Sequence, residues 1–264
     1  MKPTRCIRCA TMRHALRRAL ALSVAIAYAQ TACADAPPFD RPGIGFASAV
    51  LPAGSFDWEQ GLPDLERDSG SGMRTTVYTA DTLFRFGLSS TLELQLAGSA
   101  WNRITIRAPG FRAHADGAGD TALGLKWAPV LDNKTMSFAL LGSVSFDTGS
   151  AAFTNGHTVA SFGAAATRDL GENRSLAVYA NVDHGGGEST WTVSTNLGFP
   201  IHGNVGGYVE AARIAGGGAS RSLAGGGLTW LLHDRVQLDL SVDGGLTRHS
   251  PDLLAGFGVS IFWK

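Results

Sequence analysis

From about Ser55 to Trp263 the chain alternates between apolar and polar residues in runs of six to thirteen positions. In TLELQL, Leu92, Leu94 and Leu96 share one parity, and Glu93 and Gln95 the other. TMSFALLGSVSFD sets Met136, Phe138, Leu140, Val144 and Phe146 against Ser137, Ser143, Ser145 and Asp147, and VQLDLSVD sets Val236, Leu238, Leu240 and Val242 against Gln237, Asp239, Ser241 and Asp243. An extended strand sends successive side chains to opposite faces, so each run predicts a β-strand with one oily and one polar face. SFDWEQ, DTALGLKW, SLAVYANVD, TWTVSTNLGF, VGGYVEAAR, AGGGLTWLL and AGFGVSIFW extend the series to about twelve strands, with no helical pattern between them. In TTVYTADTLFRF the pattern is mixed, because Val77 and Leu83 share a parity with Asp81 and Arg85.

The connectors alternate as regularly as the strands. GLSS, PVLDNK, DLGEN, PIHGN and HDR are short; GLPDLERDSGSG, NRITIRAPGFRAHADGAG, TGSAAFTNG, HGGGES, IAGGGASR and GLTRHSP are long and fall between them. In an up-and-down meander, alternate connectors emerge at the same end, which predicts one trimmed and one elaborated end. That is the plan of an outer-membrane barrel, with short periplasmic turns and longer extracellular loops. Aromatics fall where such a barrel meets its headgroups. Phe84, Phe86, Trp127, Phe199 and Trp230 precede short turns, Phe138 follows one, and Trp263 lies near the C-terminus. Trp58, Trp101, Phe146 and Trp191 are read at the long-connector end. Backbone groups in lipid must be paired, and a closed sheet alone leaves no edge. The expected fold is therefore all-β: a transmembrane antiparallel up-and-down β-barrel of about 12 strands. A secreted sandwich or lipocalin-like barrel is the soluble rival.

The first residues change the charge and cysteine arithmetic. A basic stretch with Lys2, Arg5, Arg8, Arg13, Arg17 and Arg18 precedes the apolar run ALALSVAIAYA, and Ala32-Cys33-Ala34 suits signal cleavage. The expected organisation is residues 1–34 as a signal peptide, 35–54 as an N-terminal periplasmic segment and 55–264 as the barrel. Removing 1–34 takes away six basic residues and all three cysteines, leaving 16 Lys and Arg against 22 Asp and Glu. A cysteine-free exported chain is not held by disulfides.

If the apolar faces meet lipid, the alternate residues line the interior. The candidate lumen-lining set is Asp57, Glu59, Arg85, Glu93, Gln95, Lys126, Asp147, Glu210, Asp239 and Asp243. Its acidic bias favours cations or polar solutes if the lumen is open. Alternatively, pairing with Arg85, Lys126, Arg168 and Arg213 closes a narrow barrel. His114, His157, His184 and His249 fall on long connectors without tight ligand spacing, so no metal and no cofactor is expected. Catalysis is not expected either: His157 and Ser161 are four strand positions apart, or about 13 Å, too far for a nucleophile and its base. No basic stripe points to nucleic acid.

The order of RPGIGFASAVLPAGSFDWEQGLPDL, LFRFGLSSTLELQLAGSAWNRI, GAGDTALGLKW, LLGSVSFDTGS and GLTWLLHDRVQLDLSVDGGL resembles the outer-membrane transporter-like family named for a MetA pathway of phenol degradation. The resemblance runs from about Asp40 to the C-terminus. It implies a Gram-negative outer-membrane barrel with a transport role, for which small hydrophobic or aromatic compounds are the solutes suggested by the family's name. It also implies a C-terminal aromatic read by the barrel assembly machinery; here Phe262-Trp263 is followed by Lys264. The expected function is a channel for passive passage of an unidentified small-molecule solute, with outer-membrane lipids and the assembly machinery as partners. The alternatives are a structural or interaction barrel without transport, and an outer-membrane acyl hydrolase.

Overall fold

The computed structural model describes residues 38–264; the residues read as a signal peptide, and the first of those read as a periplasmic segment, lie outside the described part. Fourteen strand segments follow one another: β1 (Phe56–Gly61), β2 (Asp64–Gly70), β3 (Met73–Gly87), β4 (Leu92–Ala108), β5 (Phe111–Gly117), β6 (Thr121–Trp127) and β7 (Met136–Phe146). The remainder are β8 (Val159–Gly171), β9 (Arg174–Gly185), β10 (Glu188–His202), β11 (Val205–Gly216), β12 (Ala219–His233), β13 (Val236–Gly245) and β14 (Leu253–Trp263). All form one antiparallel sheet. It closes because β14 pairs with β1 (Phe56 opposite Trp263) and, further along, with β2 (Leu65 opposite Ala255).

Two pairs of segments are single staves with an interruption, so the barrel has twelve. β1 and β2 are split at Pro63, which has no amide to offer the ladder; Leu62 still donates its N–H to the Phe257 carbonyl at 2.8 Å. β6 and β5 share β4 as neighbour, and the split at 118–120 faces a bulge around Ala100. That bulge flips the parity of β4, so Glu93, Gln95 and Asn102 all lie on the inner face. The mixed pattern of TTVYTADTLFRF also resolves: Leu83 and Asp81 lie on the inner face with Arg85.

The sheet is inside-out relative to a soluble protein. Among the described residues the buried set has eight apolar members and fourteen polar or charged ones. Leu94, Leu123, Leu125, Val144, Phe162, Val178, Val193, Val209, Leu240 and Phe257 are large, apolar and exposed on the outer wall. A protein surrounded by water would not leave such a continuous belt exposed, whereas lipid covers it. At one end of the belt Phe86, Trp127, Trp230 and Trp263 are exposed, with Phe56 stacked against Phe84 and Trp263. At the other end stand Trp101, Phe146 and Trp191. Trp58 departs from its expected place: it pairs with Phe84 and Ile261, two positions from the first residue of the barrel, at the short-turn end.

The long connectors are mostly not loops. The segments between β2 and β3, β4 and β5, β9 and β10, and β11 and β12 are two-residue hairpin tips; only 147–158 and 246–252 are irregular. Gly186 and Gly187 have φ of 59° and 84°, and Gly217 and Gly218 of 57° and 77°, the left-handed backbone that a two-residue turn requires. The strands simply continue past the depth of the bilayer. β4 has 17 residues where about 9–11 span the hydrocarbon. Glycine-rich composition at these tips therefore reflects turn geometry and not mobility.

Candidate functional site: the occupied lumen

The segment read as periplasmic lies in the barrel interior. Pro38 to Pro52 has no regular secondary structure and runs around the inner wall as an irregular ring, touching nearly every stave. Leu51 donates its N–H to Glu93 Oε2 at 2.8 Å on β4. Ser48 Oγ bonds Ser137 Oγ on β7 at 2.6 Å and donates to Thr167 Oγ1 on β8 at 2.7 Å. Phe46 packs edge-on against Tyr179 of β9, with ring centroids 5.3 Å apart. The Ile44 carbonyl accepts from Ser194 Oγ on β10 at 2.7 Å, and its N–H donates to Glu210 Oε2 on β11 at 2.8 Å. Arg41 then reaches β13, β14 and β2, and Asp40 returns to the staves where the ring began. Ala47 N–H donates to Asp40 Oδ1 at 2.8 Å and closes the ring on itself.

Two ionic clusters hold this ring. In the first, Arg85 on β3 forms a two-pronged pair with Glu93 (Nε–Oε1 2.8 Å, Nη2–Oε2 2.9 Å). Its third nitrogen donates to Glu59 Oε1 at 3.0 Å and to the Pro38 carbonyl at 2.6 Å, with Asp57 3.4 Å away. Lys126 on β6 donates to both oxygens of Asp40 at 2.7 and 2.9 Å. The backbone N–H groups of Asp40 and Arg41 meet the two oxygens of Glu59. Arg85, Lys126, Asp57, Glu59 and Glu93 are all essentially inaccessible. Such charges tolerate burial because each faces a partner; taking one partner away typically costs about 3–5 kcal/mol.

The second cluster is Arg41. Its guanidinium lies between Asp64, at 3.0 and 3.1 Å, and Asp239, at 3.2 and 3.4 Å. It fits there because the β14 wall residue under it is Gly258. A Cβ on Gly258 would lie 2.7 Å from Nη2 and 2.8 Å from Cζ. Gly163 on β8 is the matching slot for Phe46, whose Cε1 would be 2.8 Å from an added Cβ. The glycines of the inner wall thus act as sockets for side chains of the ring.

Of the candidate lumen-lining residues, Asp57, Glu59, Arg85, Glu93, Gln95, Lys126, Glu210, Asp239 and Asp243 sit buried on the inner face. The first six gather in or beside the Arg85–Lys126 cluster, and Asp239, Asp243 and Glu210 lie further round the wall, on β13 and β11. Asp147 does not join them. β7 ends at Phe146, and Asp147 is exposed in the connector, because strand parity has no meaning past the last paired residue. Arg168 and Arg213 are exposed and take no part in closing the barrel. Asp40 and Arg41, which the residue pattern of the strands could not flag, carry most of the ring's ionic contacts.

At the long-connector end, Asp120 accepts N–H bonds from Gly149 (2.9 Å) and Asn155 (2.8 Å), pinning the 147–158 connector. Its slight burial works against ionisation, but these donors outweigh it and hold the carboxyl below the usual carboxylate range. Ser161 donates to Asp183, and His184 Nδ1 lies 2.9 Å from Ser189 Oγ on the next strand. Neither hydroxyl forms a Ser–His–acid chain among the described hydrogen bonds. A cavity of about 520 Å³ lies beside the ring and reaches Asp120 and Ser143. The lumen is polar and acid-biased, and this ring lines it.

Comparison with known proteins places this architecture. The COG4313 outer membrane channel from Pseudomonas putida F1 superposes with a TM-score of 0.67 at 11% identity, covering 84% of this chain and 99% of that one. The KdgM porin in complex with disordered oligogalacturonate gives 0.53 at 10% identity, covering 80% and 99%. The NanC porin gives 0.52 at 10% identity, covering 78% and 98%. At such identities the likeness shows the fold, that of outer-membrane channels and porins. No curated protein sequence matches the chain. The family described as "Putative MetA-pathway of phenol degradation" matches residues 39–262, nearly the whole described chain and including the lumenal ring. The chain belongs to that family.

Proposed function

We propose that the protein is exported by its leader, inserted in the outer membrane with the help of the assembly machinery, and acts there as a passive channel for small polar solutes. In this conformation the 38–52 ring keeps it closed. The observation that carries the reading is that the ring is not a strand. It contributes nothing to the ladder, and the twelve staves satisfy one another without it. Its bonds are ion pairs and hydrogen bonds that can exchange for water, so it can withdraw while the wall stays intact. A cavity leading to it and a surplus of carboxylates on the inner wall support small cationic or polar solutes over the aromatic compounds in the family's name. Planar-bilayer recording tests this. The refolded chain should show rare openings, and Asp40→Asn with Arg41→Gln should show frequent, cation-preferring ones. A doubly substituted barrel that folds yet conducts no more than lipid alone would remove the channel reading. The buried Arg85–Glu93–Glu59 cluster favours the second reading, a rigid structural barrel, and that silent outcome would support it.

A further inference from the structure

Beside the ring is a second cavity of about 330 Å³, between residues 41–44 and the inner faces of β2, β3, β11, β13 and β14. Five carboxylates line it: Asp64, Glu66, Asp81, Glu210 and Asp243. Arg41 is the one basic residue in the lining, and its guanidinium is already taken by Asp64 and Asp239. Glu66, Asp81, Glu210 and Asp243 form no ion pair among the described residues. Two of them are deeply buried, Glu210 at 5% exposure and Asp243 at 6%. Glu210 gives one oxygen to the Ile44 N–H, while its Oε1 has no partner; Asp243 Oδ1 has none either. A buried carboxylate oxygen without a donor is expensive, and two of them on side chains that line one cavity mark a place for positive charge.

The shape of the site selects among cations. No three acidic, histidine or cysteine side chains among the described residues converge closely enough to hold one metal ion. A bare divalent ion needs about six oxygens in one tight shell. Separated carboxylates instead suit a charge spread over a few bonds, with several N–H donors that reach each oxygen in turn. The volume admits a short carbon chain, and Leu254, Ala255 and the Ile44 segment supply apolar contact along it. We propose that this cavity binds a small organic cation bearing two ammonium or guanidinium groups, with Glu210 and Asp243 as its principal acceptors. This deepens the channel reading and rests on it for calling the occupant a solute. Because Glu210 also holds the Ile44 N–H, the occupant would compete for a side chain that docks the ring.

The test is calorimetric titration of the refolded full chain in detergent with butane-1,4-diamine, butane-1,4-diol and magnesium as probes. The diamine is expected to bind at one site and the diol not at all. Glu210→Gln with Asp243→Asn should weaken the diamine at least about tenfold, and Glu210→Gln alone should weaken it measurably, with heat-modifiable gel migration confirming the barrel. The site is overturned if the diamine does not bind, if the diol or magnesium binds as tightly, or if the folded substituted chains bind the diamine unchanged. Conductance is read separately. Diamine binding in a chain that never conducts refutes the channel and keeps the site, whereas conductance without diamine binding does the reverse.

Discussion

Substituting Gly258 by alanine perturbs the ring without removing any of its polar groups. The new Cβ would fall within 2.8 Å of Nη2 and Cζ of Arg41. The end of a long side chain usually yields to such a clash cheaply, but this guanidinium is gripped on both sides by Asp64 and Asp239. Displacing it lengthens contacts now at 3.0–3.4 Å to two carboxylates. Charged hydrogen bonds contribute about 1.5–3 kcal/mol each, so losing one net contact weakens docking by about 1.5–3 kcal/mol. At 1.4 kcal/mol per tenfold, the undocked fraction should rise roughly 10- to 140-fold. In a chain refolded without residues 1–34, which hold all three cysteines, Ser48→Cys, buried against Ser137 and Thr167, reports undocking through its rate of maleimide labelling. Gly142 on β7 is the control, because a Cβ there meets nothing within 4 Å. If the chain with Gly258→Ala labels no faster than the one with Gly142→Ala, the ring is not held by the Arg41 socket and the argument fails.

Gly163→Ala should also speed Ser48→Cys labelling, since its Cβ would meet Phe46 at 2.8 Å, and wall stability read by urea unfolding in vesicles should change less than labelling. Leu240→Arg places a charge on the exposed outer belt and should cost about 2–4 kcal/mol of folding into bilayers, whereas Asp147→Asn, in the exposed connector, should leave cation preference in bilayer recordings unchanged. Asp120 has a lowered pKa, so its hold on the 147–158 connector is complete above the ordinary carboxylate range and is lost only as pH falls through the lower folded value. Pepsin should therefore cut this connector in the native chain only toward the acid end of its range, but in the Asp120→Asn chain throughout it; equal cutting across the range would contradict the assignment.

The wall was legible because period two is local. Leu92 with Glu93, or Leu240 with Asp239, declares two faces before any pairing is known, and the connector order declares which face meets lipid. The same rule overran at Asp147, where the ladder had ended. It also mistook HGGGES and IAGGGASR for loops, since glycines at a hairpin tip and in a flexible loop look alike in sequence. The ring was hidden for a different reason. RPGIGFASAVLPAG has no period, and each of its contacts depends on a residue far along the chain, such as Glu210, 166 positions from Ile44. The inner carboxylates were visible; what they grip was not.

Arg41 binds Asp64 at the start of the wall and Asp239, 198 positions from Arg41 itself, on the last strand but one, directly over β14, where the sheet closes on β1. This geometry gives the residue a role in timing. While β13 and β14 are missing, half of its socket does not exist, and the ring has no stable seat. Docking is thus a signal that the last stave is home. A barrel with its seam open would be left unlatched as well as incomplete. The clasp on the ring is thereby a contact that only a closed wall can complete.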